Sequence, residues 1–173
     1  QDHKLLYDRP VFDNVALPLI IAGVGYRDAG RRVRPALEQV GLLHKEKQNP
    51  ETLSAGEQQR VGIARALAVK PAVMLMDEPL SALDSQTREL LMDDLAALWT
   101  RQPFTAVYVT HNLDEAVRMA HSIVVLSRGP GQIREIMHLE KPLHERSYGD
   151  NDLQFRQKYL WNLMRDEARA ADA

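Results

Sequence analysis

LSAGEQQRVGIARALAVKPAVMLMDEPLSALD, residues 53–84, is the stretch whose reading decides the fold. Ser54 and Glu57 stand three apart ahead of a helical run, the spacing of a capping box, and predict a helix to about Val69. Lys70-Pro71 stops it, because proline offers no N–H and its ring disfavours helix in the residue before it. Ala72 to Met76 is short and apolar, which predicts a buried strand. That strand ends on two adjacent carboxylates, Asp77 and Glu78, followed by Pro79. Asp84 predicts the cap of the next helix, whose Leu91, Leu95 and Leu98 recur at helical spacing.

Outward from this stretch, Val11, Val15 and Leu19 share one helical stripe, behind Pro10 at a favourable helix start. Pro18 lies inside that pattern and is expected to kink or end it. Val33, Leu37 and Val40 mark a second helix, with Gly41 as its C-cap and a start expected near Arg34 because Pro35 interrupts its front. On the other side, Phe104–Val109 predicts a second buried strand, Asn112–Ala120 a helix and Ile123–Leu126 a third strand. Arg128-Gly129-Pro130-Gly131 predicts a tight turn into a hairpin strand, Ile133–His138, and Leu153 to about Ala170 a terminal helix. Strands alternating with helices after residue 53 indicate an α/β fold with a mostly parallel sheet and a helical block before it. The expected divisions are a helical part over about 8–70, an α/β part over 71–140 and a C-terminal extension over 141–173.

Composition excludes several classes. Of 173 residues, 22 are basic and 24 acidic, for a net charge of −2, so the chain carries no electrostatic footprint for nucleic acid. Cysteine is absent, which removes disulfides and thiolate metal sites. No apolar run approaches the roughly 20 residues that span a bilayer; the longest, Val15–Val24, is broken by Pro18 and Gly23. A chain beginning Gln1-Asp2-His3, with neither initiator methionine nor signal peptide, reads as a piece of a longer one.

The chemistry gathers at strand ends and one helix start. At the end of a strand, two neighbouring carboxylates can reach a shared crevice, where one can hold Mg²⁺ through water and the other polarise an attacking water. An isolated D-E-P serves equally as a helix-capping turn; the apolar strand before it and S-A-L-D behind it select the functional reading. His111 follows strand 104–109 through Thr110, which is expected to bring it out at the same carboxyl edge as Asp77 and Glu78 and favours contact with phosphate or water. The other histidines have no ligand spacing and read as structural or surface residues. Capping alone accounts for Ser54 and Glu57, but Gly56 lowers helix propensity in the first turn and leaves room for a ligand at an anion-favouring helix N-terminus.

Together these residues resemble the ATP-binding subunits of ABC transporters. LSAGEQQR resembles the signature motif, VMLMDEP the Walker B strand with its glutamate, SALD the D-loop, His111 the switch histidine and Gln1 of QDHKLL the Q-loop glutamine. The order and spacing agree too: Ser54 to Asp77 is 23 positions and Asp77 to His111 is 34. The resemblance implies a P-loop NTPase fold, ATP and Mg²⁺ as ligands, Asp77 and Gln1 on the metal, and Glu78 and His111 as catalytic residues. Ser54 and Gly56, with Ala55 and Glu57 beside them, would meet ATP bound on a second copy, and Asp84 would join the two copies. It also implies a second ATPase subunit, a transmembrane permease docking near Leu5–Phe12, indirectly a solute-binding protein, and a peripheral place on the cytoplasmic face of the inner membrane.

Two features depart from the family. Ala55 replaces the second signature glycine, adding a methyl beside the phosphate. No G-x-x-x-x-G-K-[ST] occurs, so the backbone cradle and lysine for the β- and γ-phosphates are absent, as is the upstream adenine-stacking aromatic. The chain by itself is therefore expected neither to bind ATP well nor to hydrolyse it, and to expose apolar sheet surface where further strands would lie. QDHKLLYDRPVFDNVALPLIIAG and SAGEQQRVGIARA look most like the cell-division ABC ATPase. From DEPLSALDSQTRELL onward, and above all over VYVTHNLDEAVRMAHSIVVLSRGPGQIREIMHLEKPL, the chain looks like importer ATPases for nitrate, sulfonate or taurine. A non-catalytic ABC-derived fragment remains the third reading. DNA-repair and chromosome-structure ATPases are excluded by the 53 positions between Gln1 and Ser54, too few for their coiled coils, and by the absence of heptads.

Overall fold

The structure, a computed structural model, describes residues 4–81, 83–127 and 129–171, the side chains of 166–171 excepted. Gln1 lies outside the described residues. The chain forms two compact units, residues 1–109 and 110–173.

The first unit holds α1 (Val11–Ile21), α2 (Tyr26–Gln39), α3 (Ala55–Ala68), β1 (Val73–Asp77), α4 (Ser85–Arg101) and β2 (Thr105–Val109). Helices α1, α2 and α3 pack on one another around fully buried Val11, Val15, Leu19, Val33, Leu37 and Val61. This burial decides how the prolines behave. Pro18 does not end α1 and Pro35 does not delay α2, which starts at Tyr26 rather than near Arg34. An interior proline costs about 3 kcal/mol, whereas each fully buried Val or Leu contributes roughly 1.5–3 kcal/mol, and several lie on each stripe. Downstream bonding also survives, since the Ala22 N–H still reaches the Pro18 carbonyl at 3.1 Å. Gly41 takes a φ of 72° just beyond α2, a left-handed conformation that glycine adopts without strain. Lys70 occupies the equivalent place after α3 with a φ of 53°.

β1 and β2 pair in parallel, Val73 with Thr105 through Asp77 with Val109. Their burial differs from the expected pair of buried strands. Met74 is buried, but Val73, Leu75, Val107 and Val109 are exposed, Leu75 to 77%. Only these two strands form the sheet among the described residues, so one face keeps an apolar surface open.

The second unit holds α5 (Leu113–Met119), β3 (Ser122–Leu126), β4 (Ile133–His138) and α6 (Asn151–Ala171). β3 and β4 form an antiparallel hairpin, with a register irregularity between Val125 and Leu126. Val117, Leu153 and Leu160 make its core, and Leu113, Ile123, Val125 and Met137 close around them. Arg146 is buried here and donates to five backbone carbonyls, those of Lys141, Val117, Arg118, Ala120 and Leu139. No described helix is long and apolar enough to cross a membrane.

Candidate functional site

Asp77 ends β1 with its side chain exposed, and Glu78, half-buried, follows it at a φ of 43°. A non-glycine residue in this region is strained by roughly 1–3 kcal/mol and needs its surroundings to hold it. Here they do so from several sides. The Glu78 N–H donates to the Val109 carbonyl at 2.8 Å, which extends the β1–β2 ladder past its end. The Glu78 carbonyl accepts from the Ser81 N–H at 3.2 Å and from its hydroxyl at 3.0 Å. The next carbonyl, that of Pro79, accepts from the side-chain amide of Gln59 on α3. The turn carrying Glu78 is thus fixed to β2, to its own chain and to α3.

The start of α3 forms the expected capping box. Ser54 Oγ accepts from the Glu57 N–H at 3.3 Å, and Glu57 Oε2 accepts from the Ser54 N–H at 3.0 Å. Glu57 Oε1 also meets Lys45 Nζ at 2.5 Å. The Lys45 hydrogen bond, with help from the Ser54 backbone, holds the Glu57 carboxyl below its ordinary value near 4.5 despite partial burial. A depressed carboxylate stabilises the fold above its unfolded value, and that contribution is lost as pH falls through the folded one. Acid titration below about pH 4.5 is therefore expected to loosen the start of α3. Glu57→Gln should flatten that dependence in a circular-dichroism pH series; an unchanged acid limb would contradict the assignment.

Asp84 caps α4. Its Oδ1 accepts from the Thr87 N–H at 3.0 Å and its Oδ2 from the Thr87 hydroxyl at 2.7 Å, bonds that lower its carboxyl value. These bonds also fix the Thr87 methyl, and Gly56 packs against it: a Cβ on Gly56 would lie 2.6 Å from Thr87 Cγ2. The glycine thus has a packing reason in this fold, beside the room for a ligand expected from the sequence. Gly56→Ala should cost about 1–3 kcal/mol by overpacking, read as a lower melting temperature. Thr87→Ser, which removes the methyl and keeps the hydroxyl, should restore most of it; no rescue would place the strain elsewhere.

Of the residues singled out from the sequence, Ser54, Ala55, Gly56, Glu57, Asp77, Glu78 and Asp84 all belong to the first unit. α3 is joined to the turn after β1 through Gln59 and Pro79, and to the start of α4 through Gly56 against Thr87. His111, exposed, belongs to the second unit. Next to it Thr110 Oγ1 donates to Glu115 Oε2 at 2.9 Å, and Asn112 Oδ1 caps α5 by accepting from the Asp114 and Glu115 N–H groups at 2.9 and 3.4 Å. The sequence motifs do not mark Gln59 or Thr87. Gln59 had a readable signal: it lies three residues from Gly56 and four from Ile63 on the buried stripe of α3 and is only 6% exposed. A polar side chain on a buried stripe needs a partner.

The donor chemistry suits a hard cation. Asp77 offers carboxylate oxygens at an accessible strand end, the ligand type that Mg²⁺ takes. No group of three His, Cys, Asp or Glu able to hold a metal occurs among the described residues. One carboxylate with water and phosphate oxygens completing the shell is the usual arrangement for Mg²⁺, so these residues fit an ion brought in with a nucleotide.

A family model described as ABC transporter matches residues 1–81. The cell division ATP-binding protein FtsE of Escherichia coli K12 is 50% identical over 129 residues, 75% of this chain and 58% of that protein. The taurine import ATP-binding protein TauB of Sinorhizobium fredii is 49% identical over 121 residues, 70% of this chain and 45% of that protein. Among solved structures, cbiO1 from Clostridium perfringens, described as part of the ABC transporter complex cbiONQ, superposes with a TM-score of 0.64 at 25% identity, covering 71% of this chain and 49% of that one. The chain spans between 42% and 62% of the length of the curated relatives compared.

Proposed function

Because the chain belongs to the ABC transporter family of ATP-binding proteins, we propose that it forms one half of an ATP-hydrolysing site in the ATPase subunit of a membrane importer of the nitrate, sulfonate or taurine kind. The observation that carries the reading is the fixed turn after β1. It holds Glu78 beside Asp77 at the end of a parallel pair and ties both to the capped start of α3. In this role Asp77 holds Mg²⁺ delivered with ATP, and Glu78 orients the attacking water. His111 contacts the γ-phosphate, and Gln1 links the metal to the permease. Ser54, Ala55, Gly56 and Glu57 face the nucleotide of a second ATPase copy, and Asp84 mediates contact between the copies. Mg²⁺ would supply charge neutralisation between the transferring phosphates. The subunit works on the cytoplasmic face of the membrane, with a permease and, through it, a solute-binding protein.

A cell-division role is the second reading, favoured by the 50% identity to FtsE. The two separate in the native host. Glu78→Gln is expected to abolish uptake of the transported oxyanion or sulfonate while cells divide normally. Filamentous cells with intact uptake would overturn the importer reading in favour of the second.

A further inference from the structure

The first unit carries a cleft of about 590 Å³ walled by α2, the end of α3 and the segment from the end of α4 to Phe104. Its lining holds Arg31, Arg32, Lys70 and Arg101, and no acidic side chain. In a chain of net charge −2, four cations around one concavity are a local reversal of sign. Arg31 is partly neutralised by Asp28 at 3.7 Å, but Arg32, Lys70 and Arg101 make no ion pair among the described residues. Lys70 and Arg101 stand at the C-terminal ends of α3 and α4, where cations offset the helix dipole. That accounts for two of the charges. Arg32 lies in the body of α2, where no such term applies. The walls are also tied together: Gln39 Nε2 on α2 donates to Gln102 Oε1 beyond α4 at 2.7 Å, which leaves the Gln102 amide N–H groups for a ligand. Ala36 and Ala68, buried apolar residues, complete the lining.

The geometry points to a binding site for a small polyanion of the polyphosphate class, separate from the nucleotide edge at Asp77 and Glu78. Guanidinium groups suit it, since each presents paired N–H donors to a phosphate. The cleft admits a chain of a few phosphates, and cations spread around its rim suit several charges better than one.

The test is calorimetric titration of the chain with inorganic triphosphate, without divalent ions, at fixed ionic strength. The expected result is a single site whose affinity falls at least tenfold in Arg32→Gln/Arg101→Gln and falls steeply with added salt, while Asp77→Asn leaves it unchanged. Circular dichroism of the double variant checks that the helices persist; Lys70→Gln, at an exposed position, provides a second variant and should weaken binding as well. Affinity unchanged in these variants, or lost in Asp77→Asn, would overturn the site. So would binding of an acidic peptide with none of triphosphate, which would make the cleft a protein contact. The proposal does not rest on ATP hydrolysis, so its failure and that of the functional reading are distinguishable.

Discussion

Replacing Arg146 by methionine is expected to unfold the second unit, residues 110–173, in hydrogen exchange. Arg146 is 6% exposed and donates to the carbonyls of Lys141 at 2.8 Å, Val117 at 3.1 Å, Arg118 at 3.3 Å, Ala120 at 2.6 Å and Leu139 at 3.4 Å. Three of these belong to the end of α5, whose last carbonyls have no partner within the helix. The other two belong to the segment after β4, so one guanidinium ties α5 to that strand's exit. Burial, with Arg156 adding repulsion, pushes its value down, yet an arginine stays charged. Methionine keeps an unbranched apolar stem, shorter than arginine's, and leaves the carbonyls without their donor. The expected loss is about 3–5 kcal/mol, a large share of the stability of any domain. Lysine should not rescue, because its three donors on one atom cannot reach carbonyls spread around a planar fork. Protection of the α5 and α6 amides should fall by roughly two orders of magnitude or more; unchanged protection would contradict this account.

The second large effect is expected at Asn14. It is fully buried, at 0% exposure, in the first turn of α1. Its Nδ2 donates to the carbonyls of Leu6 at 2.9 Å and of Arg9 and Pro10 at 3.1 Å. Its Oδ1 accepts from the Leu6 N–H and from Arg65 NH2, both at 2.8 Å, and Arg65 Nε donates to the Asn14 carbonyl at 2.9 Å. One side chain thus folds residues 6–10 onto α1 and α1 onto α3. Asn14→Ala removes all the side-chain bonds and takes away the partners of the Leu6 amide and the Arg9 carbonyl, while the Leu6 and Pro10 carbonyls keep the Arg9 and Asn14 N–H groups, at an expected cost of about 2–4 kcal/mol. Asn14→Asp should fare little better, since it sets an acceptor against three carbonyls. Denaturant midpoints of the two variants check this; a wild-type midpoint in Asn14→Asp would mean that the amide donors contribute nothing.

These two residues show where sequence reading stops. Local chemistry was legible: Ser54 with Glu57 and Asp84 cap helices as expected, the β4 span Ile133–His138 appears as expected, and Leu91, Leu95 and Leu98 are buried. A cap or a stripe is written within a few residues, so a single window contains it. Arg146 and Asn14 act on partners up to 29 and 51 residues away, and in their own windows they look like ordinary surface polar residues. Pro35 misled for the same reason, because the burial that outweighs it is tertiary. Strand burial was misjudged because an apolar strand shows that both faces suit burial, not that both are covered. At the candidate site, residue types and order were legible from the motif alone. The tie from Gln59 to Pro79 and the packing of Gly56 on Thr87 were not, since they depend on where α3 meets the turn after β1 and the start of α4.

The central claim is that Asp77 and Glu78 form the hydrolytic edge of an ATP site whose phosphate cradle these 173 residues do not contain. It is tested most directly by ATP turnover in two samples, the 173-residue chain alone and the full-length gene product, each with and without Glu78→Gln. The account predicts no turnover by the chain alone. In the full-length protein it predicts Mg²⁺-dependent turnover that Glu78→Gln lowers at least about a hundredfold while ATP binding persists. Turnover by the chain alone that Glu78→Gln abolishes, or full-length turnover that Glu78→Gln leaves intact, would contradict it.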